Sequence, residues 1–228
     1  MTDLPINFQE VLRYMGAANA PEFLQTAQKA AEDLRQALSP KYLYLKFPLV
    51  FDQTVPIVGN TGLSLPGNDI RLHLAGCHSC YLLAGTLGAG ADRKLRLSSH
   101  HSMLYSLALD ACATEFIESL LNRAEDAICR AEEQSGRYIT SRYSPGYGDL
   151  PITLQRQFLA LCDAPRKIGL SATEANILTP KKSVTAIIGV SDGPVSGRQR
   201  GCQSCRMMEH CTFRKAGTTC ANQRLYSN

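Results

Sequence analysis

The sequence predicts an α+β fold in which a mixed or antiparallel sheet is flanked by helices. Three segments show apolar residues at helical spacing, and three others are short runs rich in β-branched, aromatic or small apolar residues. The two kinds of segment do not alternate with the regular rhythm of βαβ units, which a doubly wound parallel sheet would require.

The size and composition of the chain agree with one domain of ordinary size. Its 228 residues, of which 44% are hydrophobic, are enough to bury a core without disulfide bonds. The first residues lack the basic and apolar regions of a secretory signal, and no apolar run approaches the roughly 20 residues of a membrane span. We therefore expect a cytoplasmic protein without a membrane partner. The net charge of +4 gives little reason to expect nucleic acid.

The first half of the chain contains one predicted helix and two predicted strands. Residues 21–38 carry apolar side chains at helical spacing and begin with a proline, as first turns often do. Residues 41–52 predict a strand, and Pro48, which has no N–H to donate, places it at a sheet edge or a bulge. Residues 81–84 predict a buried strand that runs into a glycine-rich turn.

The second half contains the longest predicted element. Apolar residues follow an i, i+4 rhythm over residues 102–133, which predicts one helix of about eight turns. A second helix is predicted from Pro151, in its first turn, to Pro165, where it should stop. Residues 182–190 are rich in β-branched side chains and predict a strand.

The segment "RYSPGYGDLP", residues 142–151, is the most distinctive part of the chain. Arg142 offers a planar donor fork that suits a carboxylate, Gly146 and Gly148 allow a ligand to approach the backbone, and Tyr147 has a flat face with a polar tip. These groups suit an amino-acid-like ligand. Alternatively, the prolines and glycines only shape a surface connection and Arg142 is solvated.

The string Arg-x-x-Pro-Gly-Tyr that starts at Arg142 resembles the motif of the activation domain of cobalamin-dependent methionine synthase, which binds S-adenosylmethionine. The later stretch "IGLSATEANILTPKKSVTAIIG" is similar to the part that follows in that domain. The strings "VLRYMG", "AGTLG" and "LALDA" resemble the small freestanding relatives of the domain. The resemblance covers about residues 8–192 and is most specific over residues 142–190.

The resemblance implies a module that binds S-adenosylmethionine and assists the reductive remethylation of cobalamin on a separate methionine synthase or other corrinoid protein, with an electron-donor protein as a further partner. No Asp-x-His-x-x-Gly string, which marks the family's cobalamin module, occurs in the chain. Methyl transfer would take place on the partner's corrinoid, so whether this chain counts as an enzyme stays open.

The resemblance also implies a set of ligand-binding residues. Arg142 would hold the carboxylate of the ligand, the backbone at Ser144 and Gly146 would hold its amino-acid part, and Tyr147 would border it. On the long helix, Asp110 and Glu118 would face the ammonium or sulfonium, although exposed helix carboxylates are usually just solvated. The predicted late strand adds two positions, where the family has an aromatic pair: Ile188 and Gly189.

The C-terminal part of the chain reads as a linker and a cysteine-rich tail. We assign residues 1–192 to the activation-like domain and residues 193–228 to this appendage. Four cysteines within 19 residues could bind one zinc ion or one iron–sulfur cluster, or they could be reactive or idle thiols: Cys202, Cys205, Cys211 and Cys220. A bound metal supports an alternative function, a redox protein that donates electrons to a corrinoid protein.

Two further hypotheses concern the remaining cysteines and the basic residues. Cys77 and Cys80 form a second Cys-x-x-Cys pair, which we interpret as two small core residues at the entrance of a strand rather than as a chelate. A nucleic-acid-binding role for the basic tail, residues 198–215, is the least favoured function, because the rest of the chain is nearly neutral.

Overall fold

A computed structural model describes residues 4–98 and 102–195. The helices within these ranges are α1 (Phe8–Tyr14), α2 (Leu24–Arg35), α3 (Asn68–His73), α4 (Ala89–Leu97), α5 (Met103–Glu133), α6 (Gln155–Leu161) and α7 (Ala164–Ile168), with short 3₁₀ turns at Pro21–Phe23 and Ile152–Leu154. The strands are β1 (Lys41–Asp52), β2 (Val55–Val58), β3 (Leu63–Ser64), β4 (Ser79–Thr86), β5 (Tyr138–Ile139), β6 (Ser171–Ala172), β7 (Leu178–Thr179) and β8 (Ser183–Ser191).

Six of these strands form one sheet in the order β3-β2-β1-β4-β8-β5. Every neighbouring pair in the sheet is antiparallel. β6 and β7 form a separate two-stranded ribbon. The predicted fold class, an α+β fold with an antiparallel sheet flanked by helices, is therefore confirmed.

The centre of the sheet is β4, which pairs with β1 on one side and β8 on the other. All eight of its residues are buried. Because side chains alternate along a strand, Leu83 contributes to the core on one face of the sheet and Leu82 to the core on the other. Helices α1, α2 and α5 cover the first face, and α3, α6 and α7 cover the second.

The long helix predicted over residues 102–133 is present as α5. Its N-cap is Ser102, whose hydroxyl oxygen accepts a hydrogen bond from the N–H of Tyr105 at 3.2 Å. The apolar residues at i, i+4 spacing face the sheet and α2; Phe116 and Leu109 are among those fully buried. Burial of this face accounts for a helix of 31 residues in a domain of this size.

Pro48 marks the point at which β1 changes its partner. Residues 41–48 pair with β4, while residues 49–52 pair with β2. The carbonyl of Pro48 accepts a hydrogen bond from the N–H of Gly59 at 2.7 Å. Pro48 thus has β4 as its one strand partner among the described residues, which agrees with the edge position expected for it.

The helix predicted to run from Pro151 to Pro165 is divided, so this prediction is wrong in detail. A short 3₁₀ turn leads into α6, which ends at Leu161. Asp163 then adopts a left-handed conformation with φ of 51°. Pro165 does not stop a helix but lies in the first turn of α7. A proline is accepted there because the first N–H groups of a helix have no intrahelical partner.

Within residues 4–98 and 102–195, none of the helices combines the length and the apolar character needed to cross a membrane.

Candidate functional site

The loop that contains Arg142 is attached to the sheet by Tyr143. The N–H of Tyr143 donates to the carbonyl of Ile187 at 2.9 Å, and the N–H of Ile187 donates back at 2.8 Å. The buried ring of Tyr143 packs against His73 on the α3 side of the sheet. Because neighbouring side chains of an extended chain point in opposite directions, Arg142 points towards α5.

After Tyr143 the loop closes into an ordered turn. The N–H of Gly146 donates to the carbonyl of Leu150 at 2.8 Å, and the N–H of Tyr147 donates to the carbonyl of Ser144 at 3.0 Å. The carboxylate of Asp149 accepts hydrogen bonds from the first N–H groups of α3. These contacts make the loop a defined part of the fold.

Gly148 is required by both conformation and space. Its φ is 55°, and a side chain at this position would collide with the hydroxyl of Tyr143. The glycine thus allows the loop to lie directly on Tyr143. Gly148 therefore has a structural role in this loop, as expected if the glycines of the segment only shape a surface connection.

The guanidinium of Arg142 binds one face of α5. Its Nη2 donates to Glu118 Oε2 at 3.0 Å and to Asn122 Oδ1 at 2.9 Å, and its Nε lies 3.0 Å from Glu125 Oε2. Only 10% of the side chain is exposed. The hypothesis that Arg142 is merely solvated is therefore wrong, and its fork does bind carboxylates, those of the protein itself.

The partners of Arg142 belong to a row of polar residues that we call the polar stripe: Glu115, Glu118, Asn122 and Glu125 of α5. Their spacing of three, four and three residues places them on one face of the helix. Sequence reasoning found Glu118 and missed the other three members. The spacing of these four polar residues along one face of the helix was the signal available for them.

Glu115 is the buried end of the polar stripe, with 5% exposure. Its Oε1 accepts a hydrogen bond from the N–H of Asn7 at 3.3 Å, and its Oε2 has no hydrogen-bond partner among the described residues. Burial raises the pKa of this carboxyl to about 7; the hydrogen bond from Asn7 lowers it and the charges of Glu10 and Glu118 raise it. The protonated form of Glu115 therefore predominates below about pH 7.

Helix α1 adds an aromatic ring beside the polar stripe. Burial raises the pKa of the Tyr14 hydroxyl, and the nearby negative charge of Glu118 raises it further. The Arg13 guanidinium lies 4.5 Å from the centroid of the Tyr14 ring and forms an ion pair with Glu10. The string "VLRYMG", which contains Arg13 and Tyr14, thus lies next to the partners of Arg142.

The structure places Asp110 apart from Arg142. Its carboxylate lies 2.9 Å from Lys182 Nζ and is largely exposed. Glu118, by contrast, contacts Arg142 directly. Of the two helix carboxylates expected at a ligand site, only Glu118 is brought together with the loop by a contact in the structure.

Tyr147 projects from the loop with 61% of its surface exposed. Its ring meets Tyr143 edge to face, with 5.3 Å between centroids. Ser144 is half-buried and Gly146 is exposed in the same turn. The loop therefore offers Gly146 and Tyr147 at the surface and keeps Tyr143 inside.

Ile188 and Gly189 are core positions. Ile188 is fully buried on the α5 side of β8. The N–H of Gly189 donates to Thr140 Oγ1 at 2.8 Å. Because side chains alternate along a strand, a side chain at position 189 would point to the opposite face of the sheet from Ile188. A Cβ atom at Gly189 would lie 2.5 Å from Cys77 Sγ and 2.9 Å from Leu74 Cδ2.

We expect Gly189→Ala to destabilise the protein by about 1–2 kcal/mol, because the added methyl group overpacks the core while Cys77 and Leu74 can give way in part. Urea denaturation followed by circular dichroism measures the effect. Gly193→Ala is the matched control, since a Cβ atom there meets nothing within 4 Å. Equal losses in both variants would contradict this account of Gly189.

The described residues contain no group of three or more histidine, cysteine or acidic side chains that could hold a metal ion. Cys77 and Cys80 are buried, and burial raises their pKa to about 11 and about 12. This supports their interpretation as core thiols. Four other cysteines lie outside the described residues, so a metal site in the tail stays a prediction: Cys202, Cys205, Cys211 and Cys220.

Comparisons with known proteins bear on the fold. No family model and no curated protein sequence matches the chain. Among solved structures, the MetH reactivation domain bound to AdoHcy is similar, with a TM-score of 0.60 and 15% sequence identity over 89% of this chain and 74% of that chain. At this identity the likeness shows a shared fold, which agrees with the fold implied by the resemblance of the sequence.

Proposed function

We propose that the chain binds S-adenosylmethionine between the Arg142 loop and the polar stripe, and that it presents this methyl donor to a cobalamin on a separate protein. One observation carries the proposal: Arg142, the first residue of an Arg-x-x-Pro-Gly-Tyr string, is held against acidic residues of α5 in a fold similar to a domain solved with AdoHcy. The role in reactivation follows from the resemblance of the sequence.

The charges at this site are complementary to the proposed ligand. Arg142 contributes one positive charge, and Glu118 and Glu125 contribute two negative charges, so the group has one negative charge in excess. S-adenosylmethionine carries a carboxylate, an ammonium and a sulfonium, and so has one positive charge in excess. Such complementarity favours the ligand over neutral analogues of the same shape.

Binding would require Arg142 to exchange one protein partner for the ligand's carboxylate. Glu118 is the partner that exchanges most easily, because 36% of its side chain is exposed while that of Glu125 is mostly buried. Solvent screens the exposed side of this ion pair, so less free energy is lost when Glu118 is released than when the more buried Glu125 is released. Once released, Glu118 can bind the ammonium or sulfonium, while Asn122 and Glu125 continue to orient Arg142.

The cobalamin supplies the methyl-accepting chemistry when it is reduced by one electron from its cob(II)alamin form. We assign it to a partner, either a cobalamin-binding methionine synthase subunit or another corrinoid protein, and the electron to a donor protein. The chain's own contribution is to bind and orient the donor at the rim of the domain, which lowers the entropic cost of the transfer.

The partner would dock around the Arg142 loop. Three exposed apolar side chains lie there, on α3, on the loop and on the following turn: Leu72, Tyr147 and Ile152. Tyr143, the other tyrosine of this segment, is buried under the loop and is not available to a partner. Tyr147 is therefore the aromatic residue best placed to contact a partner.

We expect Tyr147→Ala to slow methylcobalamin formation on the partner by about 5- to 30-fold, because a central aromatic anchor contributes about 1–2 kcal/mol. The assay follows cobalamin absorbance on a methionine synthase that lacks its own activation domain, with S-adenosylmethionine and an electron source. Tyr138→Ala removes a partly exposed tyrosine of β5 and serves as the control. The reactivation role is wrong if the reaction is equally fast without this protein.

A further inference from the structure

A second concave site lies on the other side of α5 from the polar stripe. It has a volume of about 340 Å³ and opens between the start of β1, the middle of α5 and α7. Leu120 and Arg123 are its residues on α5, roughly opposite Glu118 around the helix. This cavity is therefore separate from the site proposed for S-adenosylmethionine.

The lining of this cavity combines an apolar wall with positive charge. Five of its eight residues are apolar or aromatic, and the other three are basic: Lys41, Arg123 and Lys167. None of the eight is acidic. A volume of this size lies at the lower end of the range of about 300–1,000 Å³ found for small-molecule sites, which are mostly apolar with a few polar groups.

The two lysines are not compensated within the part of the chain that the structure describes. Neither Lys41 nor Lys167 forms an ion pair with a described residue, whereas other basic residues such as Lys46, Arg142 and Lys182 do. Each lysine alone has a structural explanation: Lys167 lies in the last turn of a short helix, where positive charge is favourable, and Lys41 lies on an edge strand, where lysine opposes aggregation. Those explanations do not account for three cations that line one cavity.

We propose that this cavity binds a small amphipathic anion, in which a phosphate group is joined to a flat apolar ring. The phosphate would lie between Lys41, Arg123 and Lys167, because charge-assisted hydrogen bonds from several cations stabilise a phosphate strongly. The ring would pack on Tyr42 and the neighbouring apolar wall formed by Leu120 and Ile168. A nucleoside monophosphate has this chemistry.

Calorimetric titration with adenosine 5′-monophosphate tests the proposal, with inorganic phosphate and adenosine as separate probes. We expect the nucleotide to bind more tightly than either fragment, and its binding to weaken when ionic strength rises. Replacement of both lysines (Lys41→Gln with Lys167→Gln) should weaken nucleotide binding at least tenfold. The matched control replaces two exposed lysines outside the cavity, Lys29→Gln with Lys181→Gln, and should leave binding unchanged.

The outcomes separate this cavity from the site at Arg142. Arg142→Ala should not change nucleotide binding, and the lysine double variant should not change binding of S-adenosylmethionine. The proposal is overturned if the nucleotide does not bind, if it binds the lysine double variant and the wild type equally, or if phosphate alone binds as tightly as the nucleotide. Loss of nucleotide binding in Arg142→Ala would also overturn it, because the nucleotide would then occupy the other site.

Discussion

Replacement of Arg142 with alanine is expected to weaken binding of S-adenosylmethionine by about 10- to 150-fold, which is the equivalent of about 1.5–3 kcal/mol for a hydrogen bond to a charged group. The variant loses the donor fork proposed for the ligand's carboxylate. It also leaves Glu118 and Glu125 without the guanidinium that holds them together. Calorimetric titration of the ligand into wild type and variant measures the change.

Lysine should not restore binding at this position. Arg142 contacts Glu118 and Asn122 through one nitrogen and Glu125 through another, and a single ammonium cannot reproduce this planar geometry. Arg166→Ala is the matched control, since Arg166 is exposed and its ion pair among the described residues is a local one with Asp163, the N-cap of α7. Circular dichroism and thermal melting check that each variant is folded. Equal affinity of wild type and Arg142→Ala would show that the ligand site has been assigned to the wrong residue.

Replacement of Glu115 with glutamine is expected to stabilise the protein by about 3 kcal/mol at pH 8 and by less than about 1 kcal/mol at pH 5. Burial raises the pKa of this carboxyl from an ordinary value near 4.5 to about 7. Each pKa unit corresponds to about 1.4 kcal/mol. Glutamine resembles the protonated carboxyl in shape and can still accept the hydrogen bond from Asn7.

Proton linkage explains why the stability of the wild type should fall as the pH rises. Between pH 4.5 and 7 the folded chain binds the Glu115 proton more tightly than the unfolded chain, so the stability of the wild type falls as the pH rises through this window. Above pH 7 the loss is complete and constant. Glu132, whose pKa is lowered because hydrogen bonds from Lys46, Tyr81 and Arg137 outweigh its burial, is largely ionised in both states above pH 5, so its contribution to stability changes little between pH 5 and pH 8.

Urea denaturation at pH 5 and at pH 8 measures the effect on the free energy of unfolding. Glu22→Gln removes an exposed carboxylate from the 3₁₀ turn before α2 and is the control for the loss of one negative charge. The account of Glu115 is rejected if both variants change stability equally at the two pH values.

The candidate site was only partly accessible from the sequence. The loop was recognised because its motif is local: six consecutive residues carry an arginine, a proline, a glycine and two tyrosines. Asn122 and Glu125 were missed, although they hold Arg142 as closely as Glu118 does. Their role depends on which face of α5 meets the loop, and the loop is itself placed by the bridge between Tyr143 and Ile187 of β8.

The fold class, the long helix α5 and the central strands could be predicted from the sequence, because each of these follows from periodic burial of apolar side chains within one segment. The sequence also indicated which loop carries the unusual residues. Three features could not be predicted without the folded structure: Arg142 is paired with the polar stripe, Tyr143 is buried while Tyr147 is exposed, and Gly189 packs closely against Cys77. These features arise from contacts between residues that are far apart in the chain, and such contacts are set by the packing of the helices on the sheet.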